Sequence, residues 1–463
     1  MGCAFKQATY ELRILSFGQM LISFFERDKT LLSLLWFGIA LRVVLYFFIS
    51  PFGADAHGEI INFIATQHRL PHTREIFCAM HPPLYYLLAQ PFYAFDELYN
   101  QKVTQILSVI LSCLNLYVLY LLVKYYFKNF LTRNVSFLLA IFLHSYITFS
   151  LYVTNDSLSF LLGTWCFWLL SRYFQIPSAK GERWLALALG LGLLTKGTFL
   201  AFVPIVFGAI ALTLIHFKVS WKQLLMRLMI SGIIMTAVGG YKFAENWYYE
   251  GRPVVHNMDI FPLNDQKTYI GPKSFYGFHL PRLMKSPTIY NGDNKLVHVY
   301  PVIMYASFWY KFADLENDFN LGIKTRFKYI GSLIYAVALI PTFLMLLGLG
   351  LMTIQSVRFL TRLTTLNTVD FKENIEKATW LGLLLMSIAL VLAAGYKYEA
   401  WSCFHGRLFL QSFFSLLAAL YTGLSYLQPR SKLLFRVGIY GMITLALLSS
   451  IYFGVESLYK LIA

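Results

Sequence analysis

Long apolar runs, each closed by a short polar turn, recur along this chain. A membrane-crossing helix needs about 20 mostly apolar residues. Eleven runs read as spans, near residues 31–50, 102–123, 135–153, 157–174, 184–195, 198–217, 223–243, 329–354, 379–396, 408–427 and 437–454. The fifth is the shortest. The run HPPLYYLLAQPFYAF at 81–95 is too short and proline-rich for an easy crossing, and predicts a helix at the interface or re-entering. Residues 8–25 carry apolar positions at helical spacing and are expected to lie along the inner surface. The organisation that follows has four parts. They are an N-terminal cytoplasmic or interfacial segment (1–30), a first transmembrane module (31–243) with an outer loop at 51–101, a large extracytoplasmic loop (244–328), and a second transmembrane module (329–463). Polar residues fill the first positions, so no cleavable signal is expected. No convincing internal repeat supports an inverted-repeat transporter.

Charge orients this map. The runs between spans one and two, three and four, and so on alternate in cation content. With the N-terminus inside, the inner segments carry twenty lysines and arginines, among them Lys124, Arg133, Arg172, Lys218, Arg227, Arg358 and Arg436. The short outer turns are nearly bare: Thr154-Asn155-Asp156 has no cation, and Thr195-Lys196-Gly197 has one. This is the positive-inside pattern. It accounts for the net charge of +16 without nucleic acid as a partner. With 57% hydrophobic and only 13% charged residues, the chain has about half the charge of soluble proteins, so the bilayer is its solvent. The fold class expected is an all-α membrane bundle of about eleven helices, with a mixed, partly irregular outer loop region.

Polar groups then stand out at the outer ends of the spans. Asp55 and Glu59 follow the first span, and Asn155 and Asp156 fill the second outer turn. Lys196 is in the third, Glu245 and Asn246 follow span seven, and Lys397, Glu399, His405 and Arg407 lie between spans nine and ten. In a bundle they rim one outward-facing cavity. Ionisable groups at membrane depth are functional candidates by default. Aromatic residues crowd the large loop, Tyr248, Tyr249, Tyr269, Tyr276, Tyr290, Tyr300, Tyr305, Trp309 and Tyr310 among them. A carboxylate, cations and aromatic faces beside lipid suit a sugar carried on a lipid phosphate. The phosphate wants Arg or Lys, and an acceptor hydroxyl needs a carboxylate to take its proton. The opposing reading is a transporter or flippase that binds the same lipid without chemistry.

Several stretches resemble the GT-C polytopic glycosyltransferases that use polyprenyl- or dolichyl-phosphate sugars, such as the protein O-mannosyltransferases and the aminoarabinose transferases. RLPHTREIFCAMHPPLYYLL resembles the family's first outer loop, with His81 and Tyr85 in its final run. LYVTNDSLSFLLG resembles the second acidic turn and places Asp156; LGLGLLTKGTFL places Lys196. ENWYYEGRPVVHN resembles the Asn-bearing segment and places Asn246, and WSCFHGRLFLQ places His405 and Arg407. The resemblance implies Asp55 as general base, with Glu59, His81, Tyr85, Asp156, Lys196, Asn246, His405 and Arg407 binding substrate. It implies one sugar passed, with inversion, to a lipid, glycan or protein hydroxyl on the non-cytoplasmic side. The chain departs from the family at Ala56, where many members have a second acid, at Leu408 in place of a tyrosine and at Gln411 in place of a proline.

No cofactor is required by this reading, but a divalent metal has a candidate site. If residues 55–59 are extended, Asp55, His57 and Glu59 share one face; if helical, Asp55 and Glu59 share it and His57 points away. Cys78 and Cys403 both fall outside, and a bond between them would tie the first outer loop to the last. Arg42, within span one, is expected to face the bundle. The compactness of the chain favours a bacterial inner membrane over the endoplasmic reticulum.

Overall fold

The computed structural model describes residues 22–51, 57–95, 101–261, 275, 277–285, 299–310, 328–363, 366–398 and 400–462. Eight helices among them are long and apolar enough to cross a membrane, or nine if one bent pair counts as a span. This is an all-helical, multi-pass integral membrane protein. Each of the eleven expected spans falls on helix, but two fall short of a crossing by length and composition. Helix α7 (Asp156–Gln175) has the length and is too polar, and α8 (Ala179–Leu193) has only 15 residues. Both are clad by other helices: the pairs α7/α8, α4 (Lys102–Tyr126)/α7 and α8/α10 (Trp221–Gly239) are packed together. Protein meets most of their polar positions, Asp156, Ser157, Ser159, Thr164, Ser171 and Glu182 among them, while Arg172, Lys180 and Arg183 are exposed.

The bent pair is the third span, made of α5 (Phe130–Phe142) and α6 (His144–Leu151), which turn by 47° about Leu143. A break frees backbone carbonyls that lipid cannot satisfy. Arg42, on α1 (Lys29–Phe48), supplies a donor. Its guanidinium is fully buried and donates to Ala140 O at 2.9 Å, to Ser112 Oγ at 2.8 Å and to Gly38 O at 3.0 Å. The arginine expected to face the bundle does so, and it binds the carbonyl at the kink.

A second close approach builds the other half. Helix α15 (Lys328–Thr361) crosses α17 (Phe413–Leu427) with backbone against backbone. A Cβ on Gly348 would stand 1.8 Å from Ala419 O, and one on Gly423 would stand 2.2 Å from Leu344 O. Only glycine at both positions permits this crossing, the small-residue packing that membrane helices favour.

Within the segment expected to form the large outer loop, α14 (Tyr300–Trp309) does not lie on the surface. Tyr300 stacks on Phe404 at 3.6 Å, Ser307 Oγ accepts Gly406 N at 2.7 Å, and Tyr310 O contacts His144 Nδ1 at 3.1 Å. Its aromatic residues Tyr300, Tyr305, Trp309 and Tyr310 are therefore buried in the bundle, while Tyr248 and Tyr249 are exposed. Tyr269, Tyr276 and Tyr290 lie outside the described residues.

Replacing Arg42 with Met should take the side-chain donor from Ala140 O at the kink, at about 1–3 kcal/mol for a buried group left unsatisfied, while Ser112 Oγ keeps Ser150 Oγ at 2.7 Å. The check is thermal unfolding in detergent, where Arg42→Met should melt well below the parent and Trp36→Leu, on the exposed side of the same helix, should not.

Candidate active site

The segment expected to form the first outer loop contains α2 (His57–Gln67). Because residues 57 onward are helical, His57 and Glu59 point roughly 200° apart. His57 is 2% exposed and bonds Tyr86 Oη at 2.7 Å through Nδ1, while Glu59 is exposed. His57 and Glu59 therefore do not share the face that the extended reading gives them. Among the described residues no group of three His, Cys, Asp or Glu side chains is placed to hold a metal. Asp55 itself lies outside the described residues.

Three consecutive loop residues dock on α11 (Tyr241–Glu250). His72 Nδ1 contacts Glu245 Oε1 at 3.1 Å, Thr73 Oγ1 donates to Asn246 Oδ1 at 2.9 Å, and Arg74 donates to both oxygens of Glu250 at 2.7 and 2.8 Å. Beside them Glu75 takes a two-pronged bond from Arg69, which holds its carboxyl down at about 2. One turn back on α11, buried Lys242 pairs with Glu245 at 2.6 Å, and burial lowers the affinity of its amine for a proton.

Residues 252–259 then run as a strap between the first loop and the last. Asn257 accepts Cys78 N through Oδ1 and donates to Cys78 Sγ through Nδ2, both at 3.1 Å. At the other side His256 stacks on Tyr398 with ring centres 4.3 Å apart. Asp259 clamps that pair: its carboxylate accepts His256 N and Tyr398 Oη at 2.9 Å each, with Arg252 at 3.4 Å and Lys397 at 3.7 Å. Burial would raise the Asp259 carboxyl, but these hydrogen bonds and cations hold it below the usual range. Burial pushes the His256 imidazole down to about 4. Its Nδ1 accepts the Met258 N–H at 3.2 Å, so in the neutral ring Nε2 carries the proton and faces Cys403 Sγ at 3.8 Å. Cys78 and Cys403 both line the same cavity.

That cavity encloses about 300 Å³. His57 and His81 face it from the first loop, their rings stacked at 5.5 Å. Asn155, Lys196 and Arg407 form another part of the wall, and Leu390, Val391 and Ala394 of α16 (Thr368–Tyr398) make an apolar side. Behind the cations lies Asp156, 1% exposed, at the start of α7. One of its oxygens takes a short bond from Lys196 Nζ, and the other stands 3.8 Å from Arg407. Arg407 also lies over the Phe149 ring at 4.7 Å. Two cations thus share one buried carboxylate and leave one positive charge at the cavity wall. Such a wall can hold a phosphate.

The other expected residues fall in different places. Asn246 lines the cavity, with its amide oxygen taken by Thr73 and its amide nitrogen donating to Pro253 O. Tyr85 is buried on Ser108 Oγ at 2.9 Å, His405 is buried edge-on to Phe149, and Glu59 faces outward; none of the three is on the cavity wall. Lys242, His256 and Tyr398 line the cavity and were not singled out from the sequence as binding residues. An apolar-flanked histidine in VVHN and a tyrosine next to Lys397 gave a faint signal for the last two.

Between residues 80 and 238, about a third of the chain, the sequence matches the family described as dolichyl-phosphate-mannose-protein mannosyltransferase. The match bears out the resemblance to membrane glycosyltransferases and the enzyme class it carries, a glycosyltransferase with a lipid-linked sugar donor. No curated protein matches the sequence. Among solved structures, the chain is similar to ArnT from Cupriavidus metallidurans bound to undecaprenyl phosphate, with 15% identity, TM-score 0.38, and coverage of 84% of this chain and 77% of that one. It is also similar to the Archaeoglobus fulgidus oligosaccharyltransferase in the apo form, with 12% identity, TM-score 0.45, and coverage of 93% and 56%.

The strap has a pH signature. An unfolded imidazole titrates near 6.5 and His256 near 4, so the unfolded chain binds the proton first. Stability from the neutral, buried ring is complete above about pH 6.5 and declines as pH falls toward 4. Glu75 adds a loss only at lower pH, between about 4.5 and 2. Melting temperature should therefore fall between pH 6.5 and 4, and the fall should shrink in His256→Asn. An equal slope in both proteins would remove the imidazole as its source.

Proposed function

We propose that this membrane glycosyltransferase moves one sugar from a polyprenyl or dolichyl phosphate to a hydroxyl of a lipid, glycan or protein acceptor. The transfer takes place on the non-cytoplasmic side. The observation that carries the proposal is the cavity wall where Lys196 and Arg407 share Asp156. The cation distribution between the spans supports the sidedness, and a GT-C-like bundle of eleven helical segments is the architecture we infer.

In the reaction, the acceptor oxygen attacks the anomeric carbon from the face opposite the phosphate. The bond from that carbon to the phosphate oxygen breaks, its electron pair leaves with the phosphate, and the sugar is inverted. Asp55 takes the acceptor proton. The leaving phosphate gains negative charge as the bond breaks, and placed cations stabilise such a transition state more than the ground state. Lys196 and Arg407 fill that role, with Asp156 holding both side chains toward the cavity. His81 faces the same space beside them. Leu390, Val391 and Ala394 give the lipid an apolar path to the phosphate.

The test is purified enzyme with a radiolabelled polyprenyl-phosphate sugar, or envelope glycans weighed by mass spectrometry in cells. Asp55→Asn should slow transfer by about 10²–10⁴, the usual contribution of a general base, with donor binding kept. Arg407→Met should weaken donor binding as well. Full transfer by Asp55→Asn would refute the base, and lipid movement without transfer in the parent would favour a flippase.

A further inference from the structure

Gln411 stands where the sequence departs from a common proline, and it is 1% exposed. A carboxamide offers one oxygen acceptor and two N–H donors, and here both ends are used. Oε1 accepts Thr198 Oγ1 at 2.7 Å and Ser159 Oγ at 3.3 Å, while Nε2 donates to Thr198 O at 2.9 Å. Thr198 is therefore gripped by side chain and carbonyl together.

Each partner sits close to a charged member of the phosphate wall. Thr198 is two residues beyond Lys196, in the 3-10 turn Gly197–Ala201 that closes on Lys196 O through Phe199 N at 3.1 Å. Ser159 is in the first turn of α7, which begins at Asp156. Gln411 itself is four residues beyond Arg407, in the same 3-10 segment, Gly406–Ser412. One turn along α7, Gly163 lets the backbone of Gln411 approach so closely that a Cβ there would stand 2.2 Å from its carbonyl oxygen. The next residue, Ser412, bonds Ser387 of α16 at 2.7 Å. The three chain segments that carry Lys196, Asp156 and Arg407 thus meet at a single buried amide.

We propose that Gln411 is a positioning residue that sets the spacing of Lys196 and Arg407 around the donor phosphate. It touches no substrate and acts through the two turns it joins. The inference rests on the reading of those cations as phosphate binders. It goes further by naming what fixes their geometry. A phosphate held at two points is sensitive to that spacing, since a shift of about 1 Å in a positioned group can cost about 100-fold in rate.

The experiment compares binding of a polyprenyl monophosphate with that of the uncharged polyprenol of equal length, in nanodiscs. Gln411→Met keeps the volume and removes the hydrogen bonds. By letting the two cations drift apart, it should weaken phosphate-lipid binding about tenfold or more. Polyprenol binding should not change. Thr198→Val should lose part of the same preference, and Thr198→Ser, with its hydroxyl restored, should recover most of it. A Gln411→Met protein that keeps the parent's preference for the phosphate overturns the proposal. So does an equal loss of both lipids, which a packing role would give. Should Gln411→Met not assemble, Thr198→Val decides by the same criterion. If Lys196→Met loses the phosphate preference and Gln411→Met keeps it, only this inference falls. A parent protein that does not distinguish the two lipids overturns it together with the phosphate reading.

Discussion

A carboxylate buried among apolar helices cannot keep its charge without compensation. Asp156 is such a carboxylate, and the site is arranged around its needs. It draws Lys196 from the turn after α8 and Arg407 from the turn after α16 to one point. Those turns are far apart in sequence, so the shared charge brings distant connections together. Because two cations answer one anion, the cluster keeps a net positive charge toward the cavity. A second carboxylate at that place would complete the neutralisation and leave nothing for a phosphate.

Asp259 works on the same principle at another part of the cavity. It gathers His256, Tyr398, Arg252 and Lys397, and so fastens the strap to the end of α16. At the strap's other side the fastening is neutral, an asparagine on a cysteine backbone and thiol. The cavity is thus closed by one charged and one uncharged attachment. The charged one couples to pH through the imidazole beside it.

Much of this was legible in the sequence. Apolar runs marked the helices because lipid demands them. Asp156, Lys196 and Arg407 were visible as polar groups at outer ends, and their meeting followed from the bundle. Other features were hidden for physical reasons. Residues 57–59 fit both a helix and a strand face, so His57 and Glu59 could not be paired from spacing. Helix α14 looked like loop because ten apolar residues are too few for a crossing, yet they suffice to fill the bundle beside Phe404. Tyr300 and Trp309 consequently read as sugar platforms and proved to be core. Gln411 showed only as a departure from a proline, since an amide's role depends on partners about 210 and 250 residues away, and no periodicity reports them.

The glycine crossing of α15 and α17 has a mechanical consequence. With Gly348 and Gly423 each against the other helix's backbone, the two helices have no soft side-chain layer between them. Helix α17 continues directly from the segment that carries Arg407. Membrane helices adjust to bilayer thickness by tilting. A change in tilt of the 34-residue α15 would bear directly on the backbone of α17, the helix that follows the Arg407 segment. The thickness of the surrounding lipid would then act on the site through backbone contact and not through side chains.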